Sequence, residues 1–137
     1  MAAGLLAHLL PADLSNRISI TSAGTHGLSG YPADPYAIEA MAELSIDIRG
    51  HRARQIKRNM AREADLILTM TTAHTRIVNR LLKRRQAPPR LISEFNTPSA
   101  AIDIEDPYGR PLSAYRHCIQ VLQPCVQGVI LWLGDSM

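Results

Sequence analysis

The sequence predicts an α/β protein in which a twisted parallel sheet is flanked by helices. Short β-branched or continuously apolar runs alternate along the chain with longer stretches whose apolar residues recur at helical spacing. The 137 residues suit one hydrophobic core, and the sequence contains no internal repeat or linker. We therefore expect residues 1–137 to form a single domain.

The first half of the chain predicts a helix, a strand, a second helix and a second strand. Residues 5–10 are apolar enough for a helix, and the alternation at residues 18–21 predicts a strand. Asp34 and Pro35 then open a helix with the proline at its first position. Residues 64–70 are apolar almost throughout, which is typical of a parallel strand covered on both faces.

The second half predicts a helix, a short strand, a long loop and a long terminal helix. Thr71 or Thr72 caps the first of these helices, which should end at Lys83-Arg84-Arg85. Residues 90–93 form the short strand, and a loop rich in Pro, Asp and Gly covers residues 96–111. The terminal helix spans residues 112–133, and Pro124 should kink it or divide it in two.

The composition indicates which classes of partner the protein can have. A net charge of +3 and a pI of about 9.2 suit an anionic substrate, although a mild basic excess is more often a solvated surface. The aromatic content of 4% is too low for a base-stacking platform, so we expect no nucleic-acid partner. No apolar run approaches the roughly 18 residues of a membrane span, and we find no signal peptide. We expect a cytoplasmic protein without membrane insertion.

The two cysteines predict no disulfide. Cys118 and Cys125 are seven residues apart on the terminal helix, about two turns, which is too far for a bond between them. Buried thiols in a reducing compartment are the expected outcome.

Two segments carry groups that could perform chemistry. Residues 103–109, DIEDPYG, hold three carboxylates in a turn-forming loop, where Asp106 before Pro107 could simply stabilise the turn. An acid on a loop after a strand is equally where α/β enzymes place catalytic groups. His51 lies in the basic stretch GHRARQ, residues 50–55, and could be either a solvated structural group or part of a site. Neither segment decides between these readings alone.

Five segments, taken together and in order, resemble the low-molecular-weight protein tyrosine phosphatases. They are SAGT at 22–25, PADP at 32–35, GHRARQ at 50–55, ADLILTM at 64–70 and DPYG at 106–109. Residues 50–70 are most similar to the bacterial members that act beside capsule and exopolysaccharide tyrosine kinases. The resemblance implies hydrolysis of phosphotyrosine proteins through a phosphocysteine intermediate, without a cofactor or metal. It also implies a tyrosine autokinase of polysaccharide export as a partner.

The resemblance assigns roles to five residues. Asp106 is the general acid and base, Tyr108 and Leu28 line the phosphotyrosine slot, and Ser22 and His51 support the phosphate-binding loop. That loop, Cys-x5-Arg-Ser-Pro, follows an opening strand in the family and precedes a Met-Ala pair like the one at residues 1–2.

The 137 residues contain neither that strand nor that loop. Six residues after Cys118 comes Pro124, and six after Cys125 comes Leu131, so neither cysteine begins a Cys-x5-Arg sequence. We therefore expect an N-terminally truncated chain that lacks the first central strand and is inactive as it stands. Its open sheet favours a strand-swapped dimer.

Two other functions remain open. A pseudophosphatase would bind a tyrosine kinase or a phosphopeptide without turnover. An arsenate reductase on the same scaffold would need the missing loop and additional redox cysteines, for which the sequence offers no suitable pair.

Overall fold

The computed structural model describes residues 1–26, 29–82, 87–96 and 101–137. The fold is α/β, with helices packed around a small parallel sheet, as the sequence predicts. In chain order the elements are α1 (Ala2–Leu9), α2 (Ala12–Ser15), α3 (Pro35–Ala42), α4 (Arg58–Glu63), β1 (Leu68–Thr69), α5 (Thr72–Leu82), β2 (Arg90–Leu91), a 3₁₀ helix (Ile92–Phe95) and α6 (Leu112–Ser136).

The sheet is smaller than the sequence predicts. β1 and β2 pair in parallel, with Leu68 opposite Arg90 and Thr69 opposite Leu91, and α5 forms the crossover between them. The apolar run at 64–70 thus contributes only two strand residues, and the strand predicted at 90–93 turns into the 3₁₀ helix after Leu91. Residues 18–21, predicted as a strand, form neither strand nor helix. Their alternation supplies strand propensity, but a strand also needs a hydrogen-bonded neighbour, and the described residues provide none there.

The helix starts follow from their capping residues. The Asp34 carboxylate accepts the Tyr36 N–H at 2.9 Å, and Pro35 occupies the first position of α3, which confirms the predicted start. Of the two threonines considered for α5, Thr71 is the cap, because its Oγ1 accepts the His74 N–H at 3.2 Å. The end predicted for α5 at Lys83-Arg84-Arg85 lies outside the described residues.

Helix α6 is continuous over 25 residues. Of the two predicted effects of Pro124, a division of the helix is excluded, and a kink stays a prediction. Pro124 is exposed, and its missing N–H costs one helical hydrogen bond. Packing on the opposite face holds the helix together on both sides of the proline. The residues buried there are Tyr115, Cys118, Ile119, Leu122, Cys125, Val126, Val129 and Ile130. Both cysteines are free and buried, as predicted.

Two hydrophobic cores of unequal size hold the molecule. The larger one joins α1, α3 and α6 with the 3₁₀ helix and Ile104, and the smaller one lies between α4 and α5. The smaller core is formed by buried Ala61, Val78 and Leu82. None of the helices in the described parts of the chain is long and apolar enough to cross a membrane.

Helix α6 approaches the 3₁₀ helix so closely that only glycine fits at the contact. A Cβ on Gly128 would lie 1.9 Å from the backbone oxygen of Phe95. Beside this contact, the Phe95 ring packs edge-on against Trp132, with centroids 5.8 Å apart. The Arg90 guanidinium lies 4.3 Å from the Phe95 ring centroid and 5.6 Å from that of Trp132. The segment that leads into residues 103–111 is thereby fixed against α6.

Candidate active site

Residues 103–111, which we call the acid loop, present Asp106 on a tight turn. The Asp106 carboxylate accepts the Tyr108 N–H at 3.0 Å, and the Arg110 N–H donates to the Pro107 carbonyl at 3.0 Å. Gly109 has a φ of 80°, which only glycine adopts easily. Both Asp106 and Tyr108 point into solvent, and Tyr108 is 76% exposed. The turn therefore holds an accessible carboxyl group next to an accessible aromatic ring.

The start of the acid loop is anchored at the carboxyl end of β1. The Ile104 N–H donates to the Met70 carbonyl at 2.8 Å, directly after the strand. The Asp103 carboxylate accepts the Thr72 N–H at 2.9 Å and the Thr72 hydroxyl at 3.2 Å, so it binds the first turn of α5. The carboxyl end of parallel strands is the edge at which α/β proteins bind ligands.

A buried serine holds the residue that precedes the acid loop. The Ser93 hydroxyl donates to the Ile102 carbonyl at 2.6 Å and accepts the Ile102 N–H at 2.9 Å. Ser93 is only 4% exposed, so its hydroxyl is largely shielded from water. Sequence reasoning missed both Ser93 and Asp103 as anchors, because each bond joins residues that are distant in the sequence.

Residues 49–56, which we call the histidine loop, carry His51 beside several arginines. Nη1 of Arg52 donates to the carbonyls of Arg49, at 3.1 Å, and of His51, at 2.8 Å. Although the residue is exposed overall, partial burial of its ring lowers the pKa of His51. The positive charges of the Met1 amino group, Arg52 and Arg54 lower the pKa of His51 further. His51 therefore favours the neutral imidazole.

The histidine loop is fastened to the segment that contains Ser22. Arg54 Nε donates to the Ser22 carbonyl at 2.9 Å, and Gln55 Nε2 donates to the Thr25 carbonyl at 2.8 Å. Gly24 completes a short parallel bridge, with its N–H bound to the Arg54 carbonyl at 2.8 Å and its carbonyl to the Ile56 N–H at 2.9 Å. The structure thus brings the segments of Ser22 and His51 together, through backbone groups of Ser22.

The start of α1 connects the two loops. Burial lowers the pKa of the Met1 amino group, while electrostatic interactions with Cys118 and Asp106 raise it. The same amino group lowers the pKa of His51. His51, Cys118 and Asp106 are therefore each close enough to the Met1 amino group to interact with it electrostatically. This amino group directly precedes α1, whose first N–H groups carry partial positive charge. Leu28, the fifth predicted site residue, lies outside the described residues.

Tyr115 is a group near the site that sequence reasoning missed. Its side chain is 2% exposed, and its hydroxyl approaches the Asp34 carboxylate without reaching good hydrogen-bond geometry to any described residue. Burial, followed by the charges of Asp34 and Asp106, raises the pKa of Tyr115 to about 12. Its ring packs edge-on against Tyr36, with centroids 6.0 Å apart. On sequence alone it is one more apolar position on the buried face of α6.

The arrangement suits an anionic ester with an aromatic leaving group. Asp106 can hand a proton to a leaving oxygen, Tyr108 can contact a ring, and the amino end of α1 attracts negative charge. Neither cysteine suits the role of nucleophile. Burial raises the pKa of Cys118 and of Cys125, so both favour the thiol over the reactive thiolate. The described residues contain no cluster of three or more His, Cys, Asp or Glu side chains that could hold a metal ion.

Comparisons of the sequence with known proteins agree on one family. A family profile described as "Low molecular weight phosphotyrosine protein phosphatase" matches residues 1–134. The chain is 37% identical over 134 residues to a Ralstonia solanacearum protein named "Probable low molecular weight protein-tyrosine-phosphatase EpsP". That match covers 97% of this chain and 83% of the relative.

Solved structures give the same result for the fold. A low molecular weight protein tyrosine phosphatase from T. tengcongensis superposes with a TM-score of 0.84 at 30% identity, covering 95% of this chain and 87% of that one. The YwlE arginine phosphatase from Geobacillus stearothermophilus superposes with a TM-score of 0.86 at 25% identity, covering 98% and 84%.

Proposed function

The chain belongs to the low molecular weight phosphotyrosine protein phosphatase family, and from this premise we propose that it supplies the acid–base half of a tyrosine phosphatase active site. The observation that carries the proposal is the position of Asp106. It lies on an exposed turn at the carboxyl end of the sheet, within electrostatic reach of the amino end of α1.

The proposed reaction has two steps and needs a Cys-x5-Arg loop, which these 137 residues do not contain. The thiolate of that loop attacks phosphorus, the bond from phosphorus to the phenolic oxygen breaks, and Asp106 donates its proton to that oxygen. Water then attacks the phosphocysteine, Asp106 takes a proton from the water, and the sulfur–phosphorus bond breaks. Phosphate leaves, and the thiolate and the protonated Asp106 are restored.

The other site residues have supporting roles in this proposal. The exposed ring of Tyr108 lines the phosphotyrosine slot, with Leu28 on the opposite wall. Ser22 and His51 steady the phosphate-binding loop, and the bond from Arg54 to the Ser22 carbonyl supports this pairing. The substrate is a phosphotyrosine protein in the cytoplasm, for which a bacterial tyrosine autokinase of polysaccharide export is the proposed partner.

A second candidate function is binding without turnover. Burial raises the pKa of Cys118 and of Cys125, which disfavours their thiolates, and the 137 residues contain no Cys-x5-Arg sequence. These two observations favour a pseudophosphatase for the 137 residues alone. Such a protein would recognise a tyrosine kinase or phosphopeptide. We further propose that this form pairs its open sheet edge with a second copy as a strand-swapped dimer, which sedimentation at several concentrations would detect.

The experiment compares two forms of the protein. We expect the 137-residue chain to show no cysteine-dependent hydrolysis of p-nitrophenyl phosphate, and a form extended by the family's opening strand and Cys-x5-Arg loop to be active. A double variant, Cys118→Ser with Cys125→Ser, is the control for both forms.

Three outcomes would contradict the proposal. Turnover by the short chain that disappears in the double variant would assign the nucleophile to α6. An extended form that folds and stays inactive would leave the binding function. A substrate panel with phosphotyrosine and phosphoarginine peptides tests the substrate class, and a preference for phosphoarginine would refute the tyrosine assignment.

A further inference from the structure

The charges of this chain are divided unevenly along the sequence. Residues 49–90 contain twelve of the fifteen Lys and Arg residues but only two of the twelve Asp and Glu residues, so this stretch has a net charge of +10. The remainder of the chain has a net charge of −7. The modest overall charge of +3 therefore conceals a strongly basic region.

Much of this region folds into two helices that pack against each other. Ala61 of α4 shares the small core with Val78 and Leu82 of α5, so these residues face inward. Arg58 and Arg62 lie four residues apart on α4, and Arg76 and Arg80 lie four apart on α5, which places each pair on one helix face. All four are exposed, as is Lys57 directly before α4. We call these five residues the basic helix pair.

In the part of the chain that the structure describes, no ion pair is formed by the basic helix pair. Within the described ranges, ion pairs join Arg49 to Asp47, Arg90 to Glu94 and Arg116 to Glu43, and none involves the five residues. Like charges four residues apart on a helix repel each other, so both arginine pairs weaken their own helices. A bound anion would relieve this repulsion.

The surface is connected in sequence to the candidate active site. The basic stretch begins in the histidine loop, where Arg52 and Arg54 act on His51, and continues through Lys57 into α4.

The character of the surface selects the kind of partner. Every large hydrophobic side chain that is exposed in the described residues lies outside α4 and α5. The helix pair thus lacks the apolar groups that enter a membrane surface and the aromatic rings on which nucleic-acid bases stack. A positively charged surface without apolar or aromatic groups is suited to binding the carboxylates of an acidic polypeptide.

We propose that the basic helix pair binds an acidic polypeptide segment. Only the identification of that segment as part of the substrate rests on the proposed phosphatase function. Ionic contacts of exposed residues are individually weak, so the surface acts through several charges at once and is sensitive to salt.

The test is the binding of a fluorescein-labelled decapeptide of glutamate to the 137-residue chain, measured by anisotropy. We expect Arg76→Glu with Arg80→Glu to weaken binding by roughly tenfold or more, since two attractive contacts become repulsive. The matched control, Arg17→Glu with Arg110→Glu, makes the same change in net charge outside the basic stretch and should weaken binding less than about twofold. Raising NaCl from 50 to 300 mM should abolish most of the binding.

Several results would overturn the proposal. An equal loss of peptide affinity in both double variants would show that only the net charge of the protein matters. Binding that does not depend on salt would exclude the ionic mechanism. Tighter binding to duplex DNA, or to vesicles containing phosphatidylserine, would assign the surface to another partner. Dimerisation that disappears in the Arg76→Glu, Arg80→Glu variant would assign it to a second copy of the chain.

Two additions keep the test decisive. If the glutamate variant fails to fold, Arg76→Gln with Arg80→Gln removes the charges without reversing them. The assay uses neither phosphate nor turnover, so failure to bind leaves the phosphatase proposal intact. Conversely, an inactive extended form leaves the binding result intact.

Discussion

The histidine loop and the acid loop both lie near the Met1 amino group but are held in different ways. The histidine loop is tied along its length, by Arg52 to its own carbonyls and by Arg54 and Gln55 to the segment at 22–25. The acid loop is fixed near its start, through Ile102, Asp103 and Ile104, and continues into α6 at residue 112. Between these points, its side-chain contacts are local.

The difference is consistent with the roles proposed for the two loops, support of a phosphate site for the histidine loop and proton transfer for the acid loop. A loop that shapes a phosphate site has to keep its geometry, which many distributed bonds achieve. An acid that serves a leaving group on different substrates gains from a short turn that can adjust while its ends stay fixed. The predictions below test this division, from the largest expected effect to the smallest.

The largest effect is expected at the centre of the acid loop. In the extended form, Asp106→Asn should lower kcat by about 10²–10⁴-fold, because the leaving oxygen loses its proton donor. The loss should be larger for phenyl phosphate than for p-nitrophenyl phosphate, whose leaving group needs little protonation. Steady-state kinetics on both substrates measure this, with Asp135→Asn near the end of α6 as the control. Equal losses on the two substrates would contradict the role of Asp106 as the acid.

A large stability effect is expected at the anchor of the acid loop. Ser93→Ala removes both bonds to Ile102, which should lower the free energy of unfolding by about 1–3 kcal/mol. Urea denaturation measures the change, and the exposed Ser19 provides the control substitution, Ser19→Ala. A loss below about 0.5 kcal/mol would show that the loop start is held by other contacts.

A smaller effect is expected at the glycines of the two loops. Gly109 has a φ of 80°, and a Cβ there would meet no atom within 4 Å, so Gly109→Ala should cost about 1–2 kcal/mol through backbone strain alone. Gly50, in the histidine loop, lacks the positive φ and is equally open, so Gly50→Ala should be neutral or slightly stabilising. Urea denaturation of the two alanine variants compares them directly. Equal losses of unfolding free energy in the two variants would contradict the assignment of backbone strain to position 109.

The smallest effect is a pH dependence from the histidine loop. Because the folded protein lowers the pKa of His51, the unfolded chain binds more protons between the folded pKa and the ordinary value of 6.5. Stability from this group is therefore complete above pH 6.5 and is lost as the pH falls through that window. His51→Asn should flatten the rise of the melting temperature between pH 5 and 7, whereas His8→Asn, on the exposed side of α1, serves as the control.

Acetylation of the Met1 amino group sharpens the same test. It removes one of the positive charges that lower the pKa of His51, so the pH dependence should shrink without disappearing. A wild-type profile that His51→Asn leaves unchanged would exclude His51 as its source.

The sequence predicted best what local chemistry determines. Asp34 and Pro35 lie next to each other and start α3 as expected, and the buried face of α6 follows from its periodicity. The strand at 18–21 failed because its pairing depends on a neighbour that no local pattern specifies. The division of α6 that Pro124 could have caused does not occur, since packing along α6 outweighs one lost hydrogen bond.

The same distinction applies to the site. The segments of Asp106 and His51 were found through short motifs, and in the structure each side chain interacts electrostatically with the Met1 amino group. Asp103 and Ser93 were missed because their partners, Thr72 and Ile102, are recognisable only in the fold. The roles assigned to Asp106, Tyr108, Leu28, Ser22 and His51 remain predictions.

The packing of Trp132 gives the protein a built-in optical reporter. It is the only tryptophan in the sequence, and its indole packs against Phe95 and lies beside Arg90. Both neighbours belong to the segment whose Ser93 binds Ile102 at the start of the acid loop. Tryptophan emission responds to the polarity and to the charges around the ring. A change in the contacts of Trp132 with this segment should therefore alter the intrinsic fluorescence, which can be followed in real time without a label and without a substrate.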